Sequence, residues 1–506
     1  MSATQTSGAS APVLKKGPIV AAILIAAFVA LLNQTLMNVA LPKMMNDLGV
    51  GATTIQWLTT GFMLVNGVLV PLSAYLVQKF TTRALFLTAT ILFSIGTFIC
   101  AIGTDFSVIM VGRIVQALGA GILLPLMNVI FLTIFPIEKR GQAMGMMGIA
   151  MIFAPAIGPT LSGWVIEHNS WHVLFWIILP LGLISVLLGF LFMKNVLPNS
   201  KPKLEYLSVI LSTLGFGGIL YGFSEAGSKG WDSTEVIVSI VVGAVALVLF
   251  VWRQFMAETP LLEMRVFKYN MYSLTTVINV VVTMAMYAGM ILLPIYLQNI
   301  RGFSPLESGL LLLPGSILMG IMSPVTGIIF DKIGARWLVV IGLIITTLTT
   351  YEFSDLTVNT TYGHLIFVYT ARMFGMSMVM MPVQTAGLNQ LPAKMNAHGA
   401  AMSNTLRTIA GALGTAFLVT IMNNRATDRG TELVKASGLN PQDPANAQAI
   451  GKLTQDATVY GIDQAFIVAT WITVVALVLA FFIRKVQVNK ESAPLDSKTV
   501  SVASKG

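Results

Sequence analysis

The chain has 506 residues, 55% apolar and 10% charged, with 30 Lys and Arg against 21 Asp and Glu, a formal charge of +9 and a mean hydropathy of +0.80. A soluble domain carries about a quarter charged residues, so this composition cannot cover a water-facing surface, and the chain is read as an all-α integral membrane protein rather than a soluble enzyme. The basic balance does not point to nucleic acid, because the Lys and Arg lie in short segments between apolar runs instead of forming an exposed patch.

A spanning helix needs about 20 predominantly apolar residues. Dividing the charge-free intervals at Pro, Gly and polar clusters gives fourteen transmembrane helices, near 18–41, 53–78, 84–103, 106–134, 141–166, 171–193, 205–225, 235–253, 270–299, 305–330, 336–354, 362–389, 397–422 and 462–483. The apolar stretch after Lys15 and Lys16 is too long for a signal-peptide core, so the first helix is expected to be retained. With both termini cytoplasmic, 20 of the 30 basic residues fall in cytoplasmic segments, 7 fall outside and 3 (Arg113, Arg372, Arg407) lie within spans. Four of the seven belong to the polar loop 424–461 (Arg425, Arg429, Lys435, Lys452), where the positive-inside rule is weak. That loop reads as a mobile external linker, with a partner-binding element as the alternative.

Cys100, the single cysteine, sits in an apolar run, so no disulfide can form within the chain. His168, His172, His364 and His398 are scattered without ligand spacing, so no metal is expected. Gly119-Ala-Gly121 and Gly215-Phe-Gly217-Gly218 lack the strand-turn-helix setting of a dinucleotide site, and no Walker pattern occurs, so no cofactor is expected.

An internal repeat runs through the spans. Arg113 before a glycine-rich run recurs as Arg372, Gly141-Gln-Ala-Met144 as Gly399-Ala-Ala-Met402, and the loop around Gln78 as the loop around Asp331, at offsets of 259, 258 and 253. This pairs spans one to six with nine to fourteen as two six-helix bundles, 1–200 and 258–506, and leaves an inserted transmembrane hairpin at 201–257. Two parallel-related bundles around a midplane site suit alternating access.

Several motifs carry a family resemblance. They are Leu32-Asn-Gln-Thr-Leu-Met-Asn-Val-Ala-Leu-Pro42, Arg113-Ile-Val-Gln-Ala-Leu-Gly-Ala-Gly121, Pro155-Ala-Ile-Gly-Pro-Thr-Leu-Ser-Gly163, Trp171-His-Val-Leu-Phe, Glu258-Thr-Pro-Leu-Leu and Pro294-Ile-Tyr-Leu-Gln298. In this order and spacing the sequence resembles the major facilitator superfamily, within it the fourteen-helix drug:proton antiporters of the EmrB and QacA type, particularly the lincomycin-resistance branch. The resemblance implies that Arg113 couples proton movement to conformational change, with helix packing as its alternative role, and assigns Asp331 and Arg336 to a cytoplasmic latch. It also implies a hinge or seal at Pro155, Gly158, Pro159 and Gly163, where Gly158-Pro159 is expected to break the helix. Ala154, Gly158 and Ser162 share one face of that helix, which suits close approach of backbones.

Two positions depart from the family pattern. In the first copy of the latch loop Gln78 stands where the acid would be, so a latch there must rest on a hydrogen bond or on another carboxylate such as Glu138. Asn33 replaces an acid that many relatives carry, so Asn33, Gln34 and Asn38 are read as a neutral polar strip on the cavity side, able to hydrogen-bond a substrate or Arg113, with Gln116 added to the cavity lining. No carboxylate lies at the centre of a span by these limits, which argues against an obligatory cationic substrate. Clustered Met residues on spans five and twelve suit a cavity accepting several apolar shapes, or simply fill gaps.

The expected function is multidrug efflux from the cytoplasmic membrane: export of small amphipathic compounds in exchange for protons, by a monomer whose only other partner is the lipid bilayer. A carrier for one endogenous metabolite or lipid is the alternative, and a non-transporting sensor a more distant one.

Overall fold

The computed structural model describes residues 16–197, 205–257, 260–439 and 446–484. Lys201, Lys203, Glu258, Thr259 and Lys485 lie outside them, as does the side chain of Asn38. Among the described residues all regular structure is helical, and fourteen helical spans are long and apolar enough to cross a membrane. Helices are the form a chain takes in lipid because each satisfies its own backbone hydrogen bonds.

In chain order the helices are α1 (Lys16–Leu48), α2 (Ala52–Lys79), α3 (Thr82–Ile102), α4 (Phe106–Ile134), α5 (Arg140–His168), α6 (His172–Phe192), α7 (Tyr206–Lys229) and α8 (Thr234–Met256), then α9 (Asn270–Ile295), α10 (Pro305–Ile333), α11 (Ala335–Glu352), α12 (Tyr362–Ser377), α13 (Met380–Leu388), α14 (Asn396–Ser437) and α15 (Ala447–Ala480). Helices α12 and α13 form one span interrupted at Met378 and Val379. Pro382 falls in the first turn of α13, where its missing N–H is not needed.

Helices α1–α6 pack mainly on one another, as do α9–α15, and each group has its own apolar core. The groups meet most closely where α5 lies along α10. Glycines make that approach possible: a Cβ on Gly327 would overlap the Gly141 carbonyl, and one on Gly145 or Gly148 would run into Ser323. The turn between α10 and α11 needs Gly334, whose φ of +84° disfavours any residue with a Cβ. Exposed apolar side chains such as Leu191, Val248, Leu348 and Phe367 face outward, as lipid contact requires.

Helices α7 and α8 pair with each other, and α7 rests on both α2 and α14. Trp231 Nε1 donates to Thr420 Oγ1 at 2.6 Å, and Ser224 and Thr60 hydroxyls lie 3.5 Å apart. The pair closes at Gly218 and Gly243, where a Cβ on Gly243 would come 2.7 Å from Ile219 N. Overpacking a tight contact costs about 1–3 kcal/mol. We expect Gly243→Val to lower the midpoint of thermal unfolding in detergent, and Gly217→Ala, whose Cβ would meet only Val68 at 3.6 Å, to leave it unchanged.

Two expectations are corrected. Helix α5 is unbroken through Pro155, Gly158 and Pro159. Helix α1 packs closely along this stretch: Thr35 Oγ1 donates to the Ala154 carbonyl at 3.3 Å and Ser162 Oγ to the Leu36 carbonyl at 2.8 Å. The segment 424–461 is not a linker over most of its length. Helix α14 runs on to Ser437, ending at Gly438 with φ +66°, and α15 begins at Ala447. Arg429 pairs with Glu432 one turn on, and Gly461 lets α15 pack against the Met422 carbonyl, so polar composition concealed a helical hairpin.

Candidate functional site

The protein's interior is organised around buried arginines. Arg113 lies seven residues into α4, fully buried, with Nε donating to the Leu58 carbonyl at 3.0 Å and Nη1 to Gln116 Oε1 at 2.9 Å. Gln116 in turn donates to Thr97 Oγ1 at 2.8 Å and exchanges amide hydrogen bonds of 3.3 and 3.4 Å with Asn33. The Phe62 ring covers the guanidinium at 4.2 Å. One polar unit thus ties α1, α2, α3 and α4 together, and among the described residues it contains no carboxylate.

Arg372 repeats the arrangement. It too is fully buried, donating to Thr350 Oγ1 at 3.1 Å and to the Ala285 carbonyl at 2.9 Å. Thr97 and Thr350 stand 253 residues apart, the offset of the loops around Gln78 and Asp331. Each arginine keeps one buried nitrogen, Nη2 of Arg113 and Nη1 of Arg372, without a hydrogen-bond partner. A cation at span depth costs about 2.5–3.5 kcal/mol even on the lenient insertion scale, and main-chain carbonyls offset only part of that.

A second site lies at the membrane end that carries the α2–α3, α4–α5 and α10–α11 turns, here called the basic end for Lys79, Arg83, Lys139, Lys332 and Arg336. Asp331 accepts from Gly141 N at 2.8 Å and Gln142 N at 2.9 Å. Its carboxylate therefore caps the first turn of α5 from another helix group, using the unpaired N–H groups and positive dipole of a helix N-terminus. Asp331 is the residue the resemblance assigned to a latch, and here it holds the α5 N-terminus. Arg336 does not pair with it and instead lies over Trp337 at 5.6 Å. In the first copy of the loop, Gln78 lies 2.8 Å from His398 Nε2, a hydrogen bond in place of the missing acid. Arg140 Nη1 donates to Asn389 Oδ1 at 3.3 Å and Gln384 Nε2 to Asn128 Oδ1 at 3.2 Å. These hydrogen bonds between α1–α6 and α9–α15 lie toward the basic end. Toward the opposite end, an open recess of about 380 Å³ on the flank of α2, α4 and α7 is lined by Thr54, Trp57, Phe106, Met110 and Lys229.

Sequence reading thus located Arg113 and Asp331 but assembled them differently. Asn33 and Gln116, read as cavity lining with the strip free to bond a substrate or Arg113, are 2% and 0% exposed: Gln116 accepts from Arg113, and Asn33 bonds Gln116. Gln34 is half-buried without a hydrogen bond among the described residues. The face bearing Ala154, Gly158 and Ser162 packs on α1, whereas Gly163 lies beside Leu306 of α10 at 3.8 Å and Pro155 and Pro159 are half-buried. His398, Arg140, Asn389, Asn128 and Gln384 carried no motif. Their only sequence signal is polarity at the end of an apolar run.

The profile described as Major Facilitator Superfamily matches residues 23–415. The chain belongs to that superfamily. YhcA of Bacillus subtilis (strain 168), described as an uncharacterized MFS-type transporter, is 49% identical to it over 92% of this chain and 92% of its own length. The lincomycin resistance protein LmrB of the same organism is 45% identical over 96% and 99%. Among solved structures, the human organic anion transporter MFSD10 superposes with a TM-score of 0.64 at 12% identity, covering 92% of this chain and 99% of that one, a likeness of fold alone. As a major facilitator of the lincomycin-resistance branch, the protein is a multi-pass membrane transporter and not an enzyme.

Proposed function

We propose that this transporter exports small amphipathic compounds, drugs among them, across the cytoplasmic membrane in exchange for protons. The observation that carries the reading is near full-length similarity to a lincomycin resistance protein, in a chain that buries Arg113 without a carboxylate partner and latches α5 with Asp331. Helices 1–200 and 258–506 act as two bundles that rock about α5 and α10, with 201–257 inserted between them. The basic end is cytoplasmic by the positive-inside rule, with both termini there, and the hydrogen bonds that join the two groups there belong to an outward-directed conformer. Asp331 and its α5 partner then open and close the inner gate, Arg113 and Gln116 relay the state of the interior, and the unit that does so is the monomer.

The test is reconstitution in proteoliposomes with imposed pH and voltage gradients and a panel of lincosamides and dyes. Expected is movement of compound opposite to the proton gradient. Movement in the same direction as protons, or none, overturns the reading.

A further inference from the structure

A third arginine is not absorbed by either site. Arg407 stands eleven residues beyond the start of α14, about 17 Å along the axis at 1.5 Å per residue, which is near the middle of a hydrocarbon core about 30 Å thick. Unlike Arg113 and Arg372 it makes no hydrogen bond or ion pair among the described residues, and it is half-buried rather than sealed. Its electrostatic neighbour is Tyr287 on α9. Residues 404, 407, 408 and 411 lie on one helical face. Thr408 on that face lies beside Gly67 of α2, and a Cβ on Gly411 would meet the Tyr287 ring at 2.8 Å. The face therefore looks into the groove between α2 and α9, which belong to different helix groups. One turn before Arg407, Asn404 is 4% exposed, and both its amide oxygen and its amide nitrogen are buried without a partner.

Two orphaned polar side chains on one face at the membrane midplane are costly unless something else completes them. The charge to be matched is positive. The three arginines within spans, Arg113, Arg372 and Arg407, have no carboxylate among their hydrogen-bond partners, and Asp331 is engaged at the basic end while Asp463 accepts from Leu356 N near the other. We infer that Arg407, Asn404 and Tyr287 form a recognition site for an anionic group carried by an amphipathic molecule. Arg407 supplies the charge and two parallel donors that fit a carboxylate, sulfonate or phosphate, and Asn404 supplies a further donor. The inference rests on the transport reading only for the molecule's passage, not for its binding. The same anionic chemistry is offered by a lipid phosphate and by a transported solute.

The test measures binding to purified full-length protein in nanodiscs of phosphatidylcholine, by energy transfer from tryptophan to pyrene. Its probes are 1-pyrenesulfonate and the uncharged 1-pyrenemethanol. Wild type is expected to prefer the sulfonate. Arg407→Gln should weaken sulfonate binding about tenfold or more, the loss of one charge-assisted hydrogen bond, with a far smaller change for the alcohol. Arg407→Lys should recover much of the loss. Equal binding of sulfonate by wild type and Arg407→Gln, or equal weakening of both probes, overturns the inference. Replacing part of the phosphatidylcholine by phosphatidylglycerol separates the sources: competition with the sulfonate that disappears in Arg407→Gln assigns the site to a lipid phosphate, and absence of competition assigns it to solute. If wild type moves no compound in proteoliposomes, the transport reading fails while the binding ratio still decides the role of Arg407.

Discussion

Replacing Arg113 by Met is expected to abolish drug efflux while leaving the protein inserted and at least as stable as wild type. A packing arginine would do the opposite. The argument rests on what the resting structure gives this side chain: one carbonyl, one amide oxygen, one aromatic face and an orphaned Nη2. Those contacts leave much of the burial cost unmet, and exchanging a buried charged group for an apolar one of similar volume is often neutral or stabilising by about 1–4 kcal/mol. Gln116 keeps its bonds to Thr97 and Asn33 in the variant, so the neighbours are not stripped of partners. On the proposed mechanism, this cation serves the conformational cycle rather than packing. The measurements are efflux in cells, membrane abundance and thermal unfolding in detergent. Normal efflux together with a lowered unfolding midpoint would show that Arg113 is a structural tie.

The parts of this protein legible in its sequence are those governed by the bilayer. Lipid imposes length and apolarity on every span, so the limits of α3, α4 and α12–α13 could be read within a few residues. The repeat was legible because Arg113 with Arg372, Gly141 with Gly399 and the loops at Gln78 and Asp331 keep nearly constant offsets. Tertiary neighbours were not. Pro155 and Pro159 signal a break locally, yet α5 runs unbroken through them while α1 packs on Ala154 and Ser162. The segment 424–461 lacks apolar periodicity, and its helices persist past the apolar limit through contacts such as Gly461 on Met422. The partners of Gln78 and Arg140 lie 320 and 249 residues away, so no local pattern could announce them.

Asp331→Ala is expected to open the basic end. Its carboxylate holds two N–H groups of the first turn of α5, and the variant leaves Gly141 N and Gln142 N uncapped at an interface where Gly141 and Gly327 admit no rearranged side chain. A hydrogen bond to a charged acceptor is worth about 1.5–3 kcal/mol, and the helix dipole adds to it. Because Asp331 is half-exposed and water can replace part of the loss, we take about 2 kcal/mol, or roughly a thirtyfold shift between conformers. Asp331→Asn keeps one acceptor oxygen without the charge and should fall between. The readout is a distance distribution between spin labels on cysteines replacing Lys139 and Lys332, both exposed, in a Cys100→Ser background. Wild type should give a single short distance, Asp331→Ala a dominant longer one, with slower efflux in the same variant because the inner gate no longer closes on each cycle. An unchanged distribution would mean that the glycine contact of α5 with α10 holds the seal alone, and that the carboxylate only caps a helix.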